Sequence, residues 1–360
     1  MPVTNTIDIF STYTMMAVLE QITPETFFFK DRYFPTGEGD IFKSDEVLVE
    51  YRRGSRKMAA FVTPRIGAIP VERRGYEVHK YEPAYTGLSH PITLDDLTKR
   101  GFGEALYYNS TPAQRALKLQ KEDYADLDSR ITRREEWMAV QTMINNACTM
   151  QEYYEDGTKG EKRYVQFFEG ESSEHLYTTA NKWNSDKGNI IGDVKAMCRL
   201  LSSRGLRAED LIIGSDVSDV FCNNPAILKL LDANLKVNFG SIDEKIEYPG
   251  ISTLGVLNFG GHRLKVWVAD NTYEDEDGND VPYFPADGAM VTFPGCGHLM
   301  YGQISQIPYD SIDFQTFAAK RVPNLFIDRK HSTRSLVLAA RPLAAPKVYC
   351  PYIFADKVIG

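Results

Sequence analysis

What the chain lacks narrows the possibilities first. Nowhere in its 360 residues do about 18 apolar residues run together, and the opening "MPVTNTIDIFSTYTMMAVLEQ" places no basic stretch ahead of an apolar one. Neither a membrane span nor secretion is predicted. Cysteine is scarce: five residues, at 148, 198, 222, 296 and 350, lie far apart and are odd in number. No pair has metal-ligand spacing, and the scatter fits small buried thiols in a reducing compartment, so the chain is expected to be made in a cytosol. Positive charge is in deficit, 41 Lys and Arg against 49 Asp and Glu, for a formal charge of −8. That balance argues against a surface that coats nucleic acid by neutralising phosphates.

The signatures of common catalytic machinery are missing as well. There is no Gly-x-x-x-x-Gly-Lys loop, no Gly-x-Gly-x-x-Gly, no His-Glu-x-x-His and no Gly-x-Ser-x-Gly. The stretch "YEDEDGND" resembles a calcium loop, but placing Gly278 sixth puts Tyr273 first and Phe284 twelfth, where Asp and Glu are required. Cys296 and His298 in "GCGHL" have no second base or third ligand nearby, so structural roles are expected. The six histidines (79, 90, 175, 262, 298 and 331) are dispersed, although a fold could still gather some. No catalytic residue, metal or cofactor is predicted.

What is present is ordinary globular composition, 43% hydrophobic and 25% charged, in a length that predicts two or three substructures. The charge is unevenly spread. Between Tyr51 and Lys80 stand Arg52, Arg53, Arg56, Lys57, Arg65, Arg73, Arg74 and Lys80, against only Glu72 and Glu77. Between Asp270 and Asp280 stand Asp270, Glu274, Asp275, Glu276, Asp277 and Asp280, with no base. In a solitary domain each would be a solvated loop. The alternative is that unlike patches on different copies meet and fix register.

Residues 7 to 22 have the apolar spacing of a short amphipathic helix, and "TFFFKDRYFP" after it carries more aromatic surface than a chain end usually shows. The segments "EVLVEYRR" and "GYEVHKYEP" alternate as strands, with Gly, Pro and Arg crowding the residues between them. So long a basic ribbon is marginal in isolation and is expected to dock on another surface. A helix is predicted from about 111 to 148, capped by Ser110 or Thr111 with Pro112 in its first turn. Leu117, Tyr124, Leu127, Ile131 and Met138 form one stripe. Trp137, Val140, Ile144 and Ala147 form a second, nearly opposite. Arg133, Arg134, Glu135 and Glu136 sit where the buried side changes, so the helix is expected to be a strut between layers. Arg134 and Glu135 should then find partners on whatever covers the first stripe. Asp126 and Arg130 have the favourable acid-first spacing.

Downstream, "TMQEYYEDG" and "KRYVQFFEG" read as a hairpin, followed by the polar loop "NKWNSDKG" and a helix ending on Gly205. Alternating helices and strands then suggest a compact α/β unit over 186–299, with an interruption near Pro225, and residues 300–360 look mostly extended.

These segments, in this order, resemble the major capsid proteins of lambda-type tailed bacteriophages, the major capsid protein E family. The resemblance is carried by "TMMAVLEQ", "FFFKDRYFP", "FVTPRIGAIPVERRG", "EPAYTGLSHPITLDDL", "RITRREEWMAVQTM", "YFPADGAMVTFPG" and "RPLAAPKVYCPYIFADKVIG". It implies an α+β, HK97-like capsid fold. Residues 1–44 would be the N-terminal arm and 45–90 the extended loop reaching over a neighbour. Residues 91–185 would be the peripheral domain with its spine helix 111–148, completed by 300–360, and 186–299 the axial domain.

The same resemblance implies a non-enzymatic protein that assembles as pentamers and hexamers into an icosahedral procapsid, which expands as double-stranded DNA is packaged. Its partners would be itself, a separate scaffolding protein, a portal and a decoration protein, with DNA enclosed but not bound by sequence. The virion head would be its location, after assembly in the host cytoplasm. Inter-subunit contacts are expected from Arg52, Arg53, Arg56, Lys57, Arg65, Arg73 and Arg74 of the loop. Structural roles are expected for Arg130, Arg133, Arg134, Glu135, Glu136 and Trp137 of the spine helix and for Glu274, Asp275, Glu276 and Asp277 of the acidic turn. No Lys–Asn crosslinking pair is nominated. Two readings compete: an encapsulin-like nanocompartment shell, and a cytosolic enzyme of unrecognised class.

Overall fold

The computed structural model of the chain describes residues 12, 15–16, 25–51, 77–93, 112–154, 157–168, 173–235, 248–309, 311–328 and 333–360. It opens with a short helix α1 (Phe28–Tyr33), then strands β1 (Val47–Tyr51), β2 (Glu77–Tyr81) and β3 (Thr86–Ile92). The long helix α2 (Pro112–Asn145) follows, with the hairpin β4 (Ala147–Tyr153) and β5 (Lys159–Gln166). Next come α3 (Ile190–Ser203), β6 (Asp210–Gly214), α4 (Ser215–Asn223), α5 (Pro225–Leu235), β7 (Ile251–Phe259) and β8 (His262–Ala269). Short strands β9 (Thr272–Glu274), β10 (Asp280–Pro282), β11 (Ala289–Thr292) and β12 (Gly297–Tyr301) lead into the last region. There lie β13 (Ile304–Gln306), β14 (Gln315–Phe317), β15 (Val322–Asp328), β16 (Thr333–Ala340), β17 (Pro342–Pro346) and β18 (Ile353–Ala355).

The sheet in the order β18-β11-β6-β8-β7 is mixed, with β6 and β8 parallel and the other pairs antiparallel. Side chains alternate across it as a pleated strand requires. Leu211, Ile213, Val266, Val268, Ala289 and Val291 face α3, α4 and α5 in one core. Ile212, Trp267 and Met290 point the other way, into a larger core with α1 and the end of α2. With both faces covered, β6 is buried throughout, which is why "DLIIG" is a continuous apolar run. Gly214 ends β6 where the backbone carbonyls of Pro285 and Ala286 would collide with any Cβ.

Helix α2 spans two cores, as a strut should. Tyr124, Leu127 and Ile131 pack with Met15 against Leu325 of β15 and Leu336, Leu338 and Ala340 of β16. Ala139, Val140 and Met143 enter the larger core instead, and Met138 joins them rather than the first stripe to which its spacing assigned it. Two further details differ from the expectation. The helix ends at Asn145, not 148, because buried Asn146 takes a left-handed φ of 55° and its amide bridges Phe167 O and Tyr352 OH. Cys148 already belongs to β4. The second stripe is also only partly buried: Val140 is covered, whereas Trp137 and Ile144 are half-buried. The turn at Gly205, with φ 81°, closes α3 as predicted, and Asn224 separates α4 from α5 ahead of Pro225. The polar loop at 181–188 hides one apolar plug, Trp183, whose indole N–H donates to Asp193 of α3.

The ribbon is present at its root. β1 and β2 pair antiparallel, Val47 opposite Tyr81 and Tyr51 opposite Glu77. It is less exposed than its sequence predicts, since Val47 and Val49 belong to the larger core, while Leu48 and Val78 remain exposed. Of the helix expected over 7–22, only Thr12, Met15 and Met16 are described, and all three are helical.

Candidate functional site

The four charges of α2 resolve into a pair that faces solvent and a pair that is wholly buried. Arg133 and Arg134 are exposed, so Arg134, unlike Glu135, does not meet the surface that covers the first stripe as expected. Arg133 lies 3.5 Å from Glu25, and the Arg134 guanidinium rests 5.3 Å over the Trp137 ring. Glu135 and Glu136 have no exposed surface. A buried carboxylate needs partners, and the two find different ones.

Glu135 is held by Arg321, whose Nη1 and Nη2 donate to Oε1 at 2.6 Å and to Oε2 at 3.1 Å. The same guanidinium reaches Asp128 at 2.7 Å and Thr132 at 3.2 Å, so three residues on one face of α2 grip one planar fork. Tyr301 OH donates to Glu135 at 3.0 Å, and Lys30 Nζ stands 3.5 Å away. Burial pushes the Glu135 carboxyl up, but Arg321, Lys30 and Tyr301 together hold it below the ordinary glutamate value. Glu136 instead caps α1, its two oxygens accepting from the backbone N–H groups of Phe29 at 2.9 Å and Lys30 at 2.6 Å. Burial, with Asp31 adding to it, pushes this carboxyl up to about 7 against the pull of those N–H groups and of Lys30.

Helix α1 is fastened on its other side too. Arg32 forms a two-pronged bond to Asp210 at the start of β6, at 2.8 and 2.9 Å, and lies 5.0 Å over the Trp267 ring. Tyr33 OH and Trp267 Nε1 donate to the same carboxylate at 2.9 and 3.2 Å. Four donors therefore converge on Asp210, which is 1% exposed. The aromatic run "FFFKDRY" thus becomes a rivet between the long helix and the central sheet, with Phe28 edge-on to Phe29 and Tyr33.

The remaining predicted residues divide. Arg130 and Asp126 meet at 2.8 Å, and His90 joins Asp126 at 2.9 Å. In the acidic turn, Asp275 accepts from the N–H groups of Asn279 and Asp277, both at 2.9 Å, which holds its carboxyl below the usual range. Glu276 bonds Tyr153 OH and lies 3.8 Å from Lys159, so this turn leans on the β4–β5 hairpin rather than standing in solvent alone. Glu274 and Asp277 are exposed. Arg52, Arg53, Arg56, Lys57, Arg65, Arg73 and Arg74 lie outside the described residues. Their ribbon's root is stitched down by Arg341, which takes Asp45 before β1 at 2.8 Å and Glu82 after β2 at 3.4 Å. Cys296 is buried and its thiol pushed up to about 12 by that burial, as suits a structural residue. Lys30, Arg32, Asp210 and Arg321 were not singled out from sequence, and no local pattern marks them.

Among the described residues, no three His, Cys, Asp or Glu side chains converge as a metal site, and no helix is long and apolar enough to cross a membrane. What the geometry offers is a set of fixed joints between layers and a ribbon anchored at its base.

Residues 11–352 match the family described as Phage major capsid protein E. The major capsid protein of Enterobacteria phage P21 is 26% identical over 256 residues, covering 69% of this chain and 70% of its own. The P21 prophage-derived major head protein of Escherichia coli O6:H1 matches equally. In structure, the chain superposes on a prophage protein of E. coli CFT073, described as a capsid protein, with a TM-score of 0.65 at 15% identity. That match covers 97% of this chain and 99% of the other. A phage-related protein of Bordetella bronchiseptica RB50 gives a TM-score of 0.50 at 10% identity, covering 97% and 98%. The structural likeness speaks for the fold, which is the α+β, HK97-like capsid fold. A family match over nearly the whole length, on a molecule built of struts and joints, makes the conclusion direct: the chain belongs to the phage major capsid protein E family, and it is a major capsid protein that forms a shell from copies of itself.

Proposed function

We propose that the shell is the icosahedral head of a tailed phage, built of pentamers and hexamers of this chain around packaged double-stranded DNA. In this reading the chain is non-enzymatic. Residues 1–44 serve as an N-terminal arm and 45–90 as the extended loop. Residues 91–185 and 300–360 make the peripheral domain, and 186–299 the axial domain. Assembly takes place in the host cytoplasm with a scaffolding protein and a portal, and a decoration protein binds the finished head. The net charge of −8 suits a wall that encloses DNA without adhering to it.

The observation that carries this reading is the ribbon. Its root is tied to the chain's own core by Val47 and Val49, and Arg341 pairs with Asp45 and Glu82 beside it, while between β1 and β2 the sequence sets seven bases against one acid. An anchored base leading into a segment whose charges are almost all of one sign fits a device that reaches a neighbour. The acidic turn at 274–277 is a surface of opposite sign on the same chain, and heterologous contacts between unlike patches close into rings. Replacing Arg52, Arg53, Arg73 and Arg74 by Glu should leave the unassembled chain folded and abolish shells seen by negative-stain microscopy. Loss of the folded chain instead would assign the ribbon to its own core. Nuclease-protected double-stranded DNA in native particles separates a phage head from a cargo-filled nanocompartment.

A further inference from the structure

We infer that Ile307, Tyr309, Ile312 and Phe314, between β13 and β14, form a docking surface that is buried against a second copy of this chain. The inference rests on the shell of copies and adds a contact surface apart from the basic ribbon. The loop joins β13 to β14, and four of its side chains are large and apolar: Ile307, Tyr309, Ile312 and Phe314. Their exposures are 42%, 43%, 93% and 78%. Scattered single apolar residues on a surface need no explanation, but four in one short loop, two of them almost as bare as in an unfolded chain, do.

The loop is not held out by chance. Its base is pinned by Asn324 of β15, itself 1% exposed, whose side-chain amide donates to Ile307 O at 3.0 Å. Gln306 at the end of β13 donates to Pro323 O at 3.1 Å. Within the loop, Ser311 N–H donates to Pro308 O at 3.1 Å, and Asp313 N–H donates to Ser311 Oγ at 3.1 Å. Behind it, Ile304 and Phe317 sit in a small core with Val322 and Ala339. A surface whose anchors are pre-ordered loses less freedom on docking and so binds more tightly for the same area.

The occupant follows from the established assembly. In a shell made of one chain, every subunit meets further copies of itself at very high local concentration, and a modest apolar contact is repeated over the whole surface. A docking surface on one region meeting a different region of the next copy is the heterologous contact that rings and shells require.

Two measurements test this on the full-length chain. The double substitution Ile312→Ser and Phe314→Ser should leave the thermal unfolding of the unassembled chain unchanged, because both side chains are bare there. It should raise the concentration at which shells form by about tenfold or more. In a second experiment, Phe314 is replaced by p-benzoylphenylalanine, shells are assembled from a mixture of isotope-labelled and unlabelled chains and irradiated, and mass spectrometry of the linked peptides separates links between copies, which carry mixed isotopes, from links within one chain. A link from the loop to another copy supports the inference. A link within the same chain or to a different protein overturns it, as does unfolding of the double variant or its assembly at the wild-type concentration. Should the wild-type chain form shells while the double variant assembles normally, the docking surface fails alone. Should the wild-type chain never form shells, the shell reading fails and takes the docking surface with it.

Discussion

Glu135 and Glu136 are consecutive, equally buried, and pushed in opposite directions: Glu135 below the ordinary glutamate value by Arg321 and Lys30, Glu136 up to about 7 by burial, which outweighs two backbone N–H groups and Lys30. One peptide bond separates a carboxylate paired with a guanidinium from one that only caps a helix. Their stabilities must therefore respond to pH with opposite sign.

For Glu136 the folded chain holds a proton up to about 7, whereas the unfolded chain releases it near 4.5. Folding then takes up a proton between those values, so this contribution is complete below about 4.5 and is lost as pH rises through about 7. The difference is on the order of 3 kcal/mol. Glu136→Gln should flatten the fall in stability between about pH 5 and 7.5 in urea unfolding. An unchanged slope would mean the cap outweighs burial. Glu135, being depressed, contributes stability that is present above 4.5 and is lost as pH falls through its lowered value.

Arg321→Ala should cost about 3–5 kcal/mol, because it strands a carboxylate with no solvent access. The combined Glu135→Gln and Arg321→Met change should cost clearly less than the two single changes added together. Denaturant midpoints of the four chains decide it, and strict additivity would mean the pair does not interact.

Asp210→Asn keeps the shape but removes the charge on which Arg32, Tyr33 and Trp267 converge. A loss of about 3 kcal/mol is expected. The emission of Trp267, whose indole N–H bonds this carboxylate, should shift as well. A neutral substitution would show that α1 is held by its aromatic packing alone.

Trp137→Ala should cost only about 1–2 kcal/mol, since the ring is half-buried beneath Arg134, whereas Met138→Ala should cost about 2–5. Thermal melts of the two variants would check the order. The reverse ranking would restore the ring to the core.

Local pattern carried much of the fold. Tyr124, Leu127 and Ile131 announced a buried stripe by spacing, β6 by its apolar run, and the ribbon's two strands by alternation, because in each case the burying surface imposes a period on neighbouring residues. The family was legible in the order of whole segments. Glu135 was placed beside the first stripe with a partner expected on its cover, but that the partner is Arg321, and that Glu136 is buried at all, was not legible, since Arg321 and the backbone of Phe29 and Lys30 lie far away along the chain. Charge in a helix reads as solvent-facing until the fold supplies a counter-charge. The early stop of α2 at Asn145 depended likewise on Tyr352, which holds the Asn146 side chain.

The root of the ribbon bears on how the shell handles load. Arg341 grips the chain just before β1 and just after β2, and β3, a few residues on, zips along the full length of β16. A displacement of the paired strands β1 and β2 would therefore be handed through β3 to β16, against which the first half of α2 is packed.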